Sequence, residues 1–146
     1  MAQHFTLQQA ENLLPELRVL MQQAVVLKAE FQEAETKLRA ANQRISMLGG
    51  SQVDRGVLVG EKARRDTAGA RLKETVDQIH EHGCQVKDLD MGLLDFPSLY
   101  RGEVVLLCWK LGEDRISFWH GLDEGFRGRK PIDEHFLKNH KGDFTQ

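Results

Sequence analysis

Residues 10–48 read AENLLPELRVLMQQAVVLKAEFQEAETKLRAANQRISML. Within this stretch Ala10, Leu13, Leu17, Leu20, Ala24, Leu27, Phe31, Ala34, Leu38, Ala41, Ile45 and Leu48 recur at steps that alternate three and four without a miss. That is a heptad seam, the pattern of a helix that lays one apolar stripe against a partner helix. A single amphipathic core helix would drift away from a strict seven-residue repeat. At about 1.5 Å per residue such a helix reaches roughly 60 Å, so it cannot be buried in one small domain and a partner helix must cover it.

Working outward, Thr6 followed by Gln9 has capping-box spacing, and Phe5 with Ala10 has the spacing of a hydrophobic staple. Pro15 removes one backbone donor early in the helix and should bend it there. Gly49, Gly50 and Ser51 end the helix and make the turn. A second helix is predicted over residues 54–82, with Gly83 just past its end. Leu58, Ala68, Leu72, Val76 and Ile79 lie near one face of it, interrupted by Lys62 and Arg65. The two helices are expected to pair antiparallel as a hairpin. The small residues Ala10, Ala24, Ala34 and Ala41 suit a close approach.

Composition changes near Gly83. Before it the only aromatics are Phe5 and Phe31; after it come both tryptophans, the tyrosine and the other phenylalanines. Residues 103–111 are nearly continuous apolar sequence, Gly112, Glu113 and Asp114 supply a turn, and residues 115–120 follow as a second strand. Residues 85–89 add a third strand. Asp95-Phe96-Pro97 reads as a bend, because the residue before proline avoids the helical region. Gly121, Gly125 and Gly128 suggest an irregular loop, and residues 131–140 a short last helix with proline near its first turn. The expected fold class is therefore α+β: a long antiparallel helical hairpin over residues 1–82 and a small antiparallel β-sheet within 83–146, forming one structural unit overall.

The chain of 146 residues is 40% apolar and 29% charged with a net charge of -2, a normal globular balance. A sequence-independent nucleic-acid binder would be basic, so no nucleic-acid partner is expected. Charge is also even along the chain, with five bases and five acids over residues 1–48 and six of each over 54–82. No apolar run is long enough to span a membrane, and residues 1–6 lack the features of a secretory signal. Cys84 and Cys108 make no disulfide framework, so a cytoplasmic location is expected.

Several motifs after Gly83 occur together: Gly83-Cys84-Gln85-Val86-Lys87-Asp88-Leu89, Gly92-Leu93-Leu94-Asp95-Phe96-Pro97, Leu107-Cys108-Trp109-Lys110-Leu111-Gly112-Glu113, Phe118-Trp119-His120 and Gly125-Phe126-Arg127-Gly128-Arg129-Lys130-Pro131. With the opening Phe5-Thr6-Leu7, Ala10 and Leu13-Leu14-Pro15, this set resembles a small bacterial family filed as domain of unknown function twenty-two-oh-three. The resemblance covers nearly the whole chain up to Pro131. It implies an architecture and no assigned activity; some members carry a loose "division initiation" label.

The sharpest chemical hypothesis is a metal site. Asp88, Asp95, His120, Asp123 and Glu124 fall in one small, turn-rich unit, and carboxylates with one imidazole suit Zn, Mn, Fe or Ni. Alternation puts Ile116, Phe118 and His120 on one strand face. His120 and Asp95 are the first-choice ligands, Asp88 and Glu124 the second. The plainer reading is a partly buried His120 hydrogen-bonded to one carboxylate such as Asp95. Asp77 and His80 give acid-x-x-His spacing once, without the second copy that a di-metal bundle needs. The plainer reading there is a helix end favoured by the dipole. Cys84 follows the end of a helix, where nothing lowers its pKa, and Cys108 reads as a small core residue within a strand. The loop from Gly125 to Lys130 has three bases but not the order of a phosphate-binding loop. Trp109 and Trp119 read as a core pair.

No complete catalytic constellation is present, so the sequence leaves enzymatic activity open. The unbroken seam favours a non-enzymatic interaction or scaffold module, a homodimer through its hairpin with a protein partner. The alternative is a metal-binding protein, a metal-dependent hydrolase or oxidase.

Overall fold

The computed structural model describes residues 3–48 and 55–143. The turn expected at Gly49, Gly50 and Ser51 lies outside them. The elements are α1 (Leu7–Asn12), α2 (Leu14–Leu48), α3 (Arg55–Glu81), β1 (Gln85–Asp88), β2 (Leu93–Tyr100), β3 (Glu103–Lys110), β4 (Phe118–Gly121), β5 (Lys130–Pro131), α4 (Glu134–Asn139) and β6 (His140–Lys141). The fold is α+β. The chain divides into two compact units, residues 1–22 with 76–146, and residues 23–75.

In the unit of residues 23–75, α2 and α3 run antiparallel. Glu33 pairs with Arg64 at 3.0 Å, Glu35 with Arg65 at 3.3 Å and Lys37 with Glu61 at 3.6 Å. From Phe31 beside Gly69, through Glu33 with Arg64, to Lys37 with Glu61, one number falls as the other rises. The seam residues Ala24 and Ala34 are buried, as is Ala68 on α3, while Leu27, Phe31 and Leu38 are half-buried. The partner helix that the heptad seam requires is thus supplied by the same chain. At Gly69 the two helices come so close that a Cβ would lie 3.2 Å from the Phe31 ring. Arg65, which breaks the apolar face of α3, is turned to Glu35 and Asp66 instead.

The other unit is built on a sheet in the order β1-β2-β3-β4-β5, with β6 also on β2 and every pairing antiparallel. Side chains alternate between its faces. One face carries Leu94, Phe96, Leu107 and Trp109, which join Phe5, Leu17, Met21 and Ile79 in one buried core. The N-terminal segment enters that core as its spacing predicts. Thr6 Oγ1 accepts the Gln9 amide at 3.1 Å, Gln9 Oε1 accepts the Thr6 amide at 2.9 Å, and Phe5 and Ala10 are buried. The first helix is not one bent rod, however. It stops at Asn12 and restarts at Leu14, with Pro15 in the first turn of α2, where a missing N–H costs nothing.

Asp95-Phe96-Pro97 is not a bend. It lies inside β2, the longest pairing of the sheet, with Pro97 opposite Leu106. The Pro97 carbonyl accepts the Phe5 amide at 2.7 Å, so that edge of the residue faces away from β3. A strand residue points its N and O the same way, so the missing donor falls where no ladder bond is needed. Residues 115–120 are likewise a shorter strand than expected. Ile116 precedes β4, gives its amide to Glu11 Oε2 at 3.1 Å and joins the core on the opposite face from Phe118 and His120. The last helix starts at Asp133, whose side chain caps the Phe136 amide at 2.8 Å, and Pro131 belongs to β5. Trp109 is fully buried, with Nε1 on the Glu113 carbonyl at 3.0 Å. Trp119 packs instead on Tyr100 and Phe136, under Lys130.

Candidate metal centre

The sheet face turned away from the main core carries three reactive side chains. Asp95 of β2 pairs directly across from Cys108 of β3. His120 of β4 pairs with Leu106, two residues from Cys108 and on the same face. Strand alternation therefore brings a carboxylate, a thiol and an imidazole together. Their ligand atoms all lie within 4.8 Å of one another, and the residues are 3%, 1% and 1% exposed. No other such group of three occurs among the described residues.

The geometry fixes much of the proton inventory. His120 Nδ1 is 2.9 Å from the Gly121 carbonyl, which can only accept, so Nδ1 carries a hydrogen. His120 Nε2 is 3.1 Å from Asp95 Oδ1. One proton is shared on that line, as imidazolium with carboxylate or as a carboxylic acid donating to neutral imidazole. Burial pushes the Asp95 carboxyl above its usual range, against the opposing pull of His120, Lys87 and the Cys108 thiol. Burial likewise pushes the Cys108 thiol up to about 11, with Asp95 adding to it. With its pKa raised that far, Cys108 stays a thiol near neutral pH rather than a thiolate nucleophile.

The loop after β4 closes over the same face. Arg129 lies between two aromatic rings, its guanidinium carbon 4.0 Å from the Phe118 centroid and 4.3 Å from that of Phe126. Its two terminal nitrogens bond the Glu113 carboxylate at 3.2 and 2.9 Å, and its charge opposes the rise in the Cys108 pKa. This is a planar cation used as a lid, a role that its stacking and forked donors suit better than lysine would.

The first-choice residues His120 and Asp95 are thus brought together, and the plain hydrogen-bonded pair is the contact observed. The second-choice residues are placed elsewhere. Asp88 Oδ1 accepts the Met91 amide at 3.1 Å and closes the turn between β1 and β2. Glu124 Oε1 accepts the Gly121 amide at 2.8 Å and bonds Lys130 Nζ at 2.6 Å, and the Lys130 ammonium holds its carboxyl below the usual range. Glu124 therefore fixes the backbone beside His120 rather than joining the three donors. Asp123 is exposed and outside the group. Cys108 is not among the candidate ligands read from the sequence, because its apolar strand makes it read as core. The signal lay in register, once Asp95 is read as a strand residue rather than a bend. Cys84 donates to the Ile79 carbonyl at 3.4 Å, and burial lifts its thiol to about 12. His80 accepts the Val86 amide at 3.3 Å, a helix-end role.

Fold and site define an α+β protein whose sheet carries a buried Asp–Cys–His group. A family model described as "Uncharacterized conserved protein (DUF2203)" matches residues 3–132, and the chain belongs to that family. No curated protein and no solved structure matches the chain. No helix among the described residues is long and apolar enough to cross a membrane.

Proposed function

We propose that this protein binds a divalent transition-metal ion through Asp95, Cys108 and His120. One observation carries the reading: three donors of different chemistry, drawn from three adjacent strands, are buried with their ligand atoms within 4.8 Å of one another. Ligand atoms around a tetrahedral zinc are about 3.3–3.8 Å apart, by the usual bond lengths, so small side-chain rotations suffice. One sulfur, one nitrogen and one oxygen favour zinc over manganese, which prefers all-oxygen sites. The ion would take the place of the proton shared by Asp95 and His120 and of the thiol proton of Cys108. The Gly121 carbonyl, holding Nδ1–H, already orients the imidazole with Nε2 towards the site. Three protein ligands leave a fourth position for water or substrate, which suits a hydrolase more than a purely structural site.

Cobalt titration of chelator-treated protein tests this. Binding through Cys108 gives a thiolate-to-cobalt absorption band that is absent in Cys108→Ser and His120→Ala. About two protons should be released per ion. No band, and no rise in melting temperature with zinc, would overturn the reading.

A second reading, a dimeric scaffold, is favoured by the unit of residues 23–75. Met47, Val57 and Val59 are 83%, 54% and 69% exposed, apolar surface that a second copy would cover. Light scattering decides it: a monomer mass at micromolar concentration removes that reading. A cytoplasmic location fits both readings, because Cys84 and Cys108 are free, buried thiols.

A further inference from the structure

Arg101 is the only non-glycine residue with positive φ among the described residues, at 53°. It begins the two-residue turn between β2 and β3, followed by Gly102 at φ 84°. Both central residues in the left-handed region mark a turn that favours Asn, Asp or Gly at the first place, not Arg. A residue kept where its backbone is strained points to a use for its side chain. Among the described residues the Arg101 guanidinium meets no carboxylate: its partners are His135 and the face of Tyr100. Beside it, at the end of α4 and in β6, Lys138 and Lys141 form no ion pair among the described residues. These three cations, with Leu99, Gly102 and Asn139, line a groove of about 460 Å³. Glu103, Glu134 and Asp143, acids close to these cations along the chain, do not line it, and Asp143 is bonded to His4.

We infer that this groove binds a phosphate group, free or carried on a small molecule. A forked guanidinium suits the oxygens of a phosphate, and two ammonium groups supply the remaining charge. The volume matches a small-molecule pocket rather than a polymer track. The net charge of -2 speaks against a nucleic-acid backbone as the occupant. The groove is formed by the β2–β3 turn, α4 and β6, and uses none of Asp95, Cys108 or His120, so this inference stands apart from the metal reading.

The test is calorimetric titration of the chelator-treated full chain with inorganic phosphate and with phenyl phosphate, phenol serving as the uncharged control. Both phosphates should bind, less tightly as sodium chloride is raised, and phenol should not. Tighter binding of the ester assigns a phosphorylated small molecule; equal binding assigns the free anion. Arg101→Asn suits the turn, so it should melt no lower than the parent chain while binding falls about tenfold to a hundredfold, the usual worth of a charge-assisted contact. Lys138→Ala with Lys141→Ala should weaken binding by a similar factor. No heat at millimolar phosphate, or binding by Arg101→Asn and by the double variant as tight as by the parent chain, would overturn the inference.

Discussion

Gly83 and Gly112 form a pair that separates backbone strain from packing. Gly83 has φ 96° and Gly112 has φ 106°, so alanine at either position has a left-handed backbone that costs about 1–2 kcal/mol. The unfolded-state gain on replacing glycine, about 0.4–1 kcal/mol, is also common to both and cancels in the comparison. The surroundings differ. A Cβ at Gly112 meets nothing within 4 Å, whereas one at Gly83 lies 3.1 Å from Phe5 Cζ and 2.7 Å from Gln3 Oε1. The Gln3 amide ends a flexible side chain and can swing away. Phe5 is 1% exposed and packs edge-on against Phe96 at 5.5 Å, so it cannot yield without disturbing the core. Overpacking of that kind adds about 1–3 kcal/mol. Gly83→Ala should therefore cost more than Gly112→Ala by that increment. Urea unfolding followed by tryptophan fluorescence measures the difference, since Trp109 and Trp119 both belong to the unit that holds Phe5. If the two variants share one midpoint, Phe5 is not seated against Gly83 and the docking of the N-terminal segment is wrong.

Other perturbations address the remaining elements. Phe136→Ala should cost about 3–5 kcal/mol, because the ring is 1% exposed and stacked between Tyr100 and His140; an unfolding midpoint within error of the parent would contradict that packing. Gly69→Ala gains helix propensity of about 1 kcal/mol but presses on Phe31 at 3.2 Å, so helicity by circular dichroism should melt no higher than in the parent; a clearly higher melt means the helices lie farther apart. The native thiols of Cys84 and Cys108 have values raised to about 12 and about 11, against roughly 8.5 unfolded, so they contribute stability that is full below the unfolded value and is lost as pH rises through the native ones. Metal-free protein should weaken steadily above that unfolded value, and a thiol reagent should label it only after unfolding. Burial also raises the Asp95 carboxyl, so its contribution is complete below the ordinary value of 3.8 and declines as pH rises through the native one. Asp95→Asn should remove that decline from the acid limb of the stability curve of the metal-free protein, and an unchanged limb would show that the carboxyl is not desolvated.

The helical part was legible because its signal is periodic. Residues 10–48 carry one apolar stripe, and the capping pair Thr6 and Gln9 states where the first helix begins. Periodicity cannot state which chain fills the seam; Gly69 against Phe31 and the pairs at Glu33 and Glu35 supply that answer through contacts remote in sequence. The break between Asn12 and Leu14 is likewise a tertiary choice. A proline is tolerated in the first turn of a helix as readily as it bends the middle of one, and the seam continues on both sides.

The site was half legible for a reason that can be traced to one residue. Pro97 suggests a bend, and a bend at Asp95 leaves its side chain without a direction. In the structure Pro97 turns its missing donor away from β3 and its carbonyl to Phe5, so the strand runs on through it. Once Asp95 is a strand residue, pairing alone sets it opposite Cys108, and the next strand brings His120 alongside. Asp88 and Glu124 stand as second-choice ligands in the sequence because a sequence reports donor type and not register. Both are held by nearby backbone amides, Met91 and Gly121, which is the common fate of a carboxylate at a turn. Only the three residues whose strand positions align remain available to one ion, and it is the β2–β3–β4 register, more than the residue types themselves, that makes them a candidate centre.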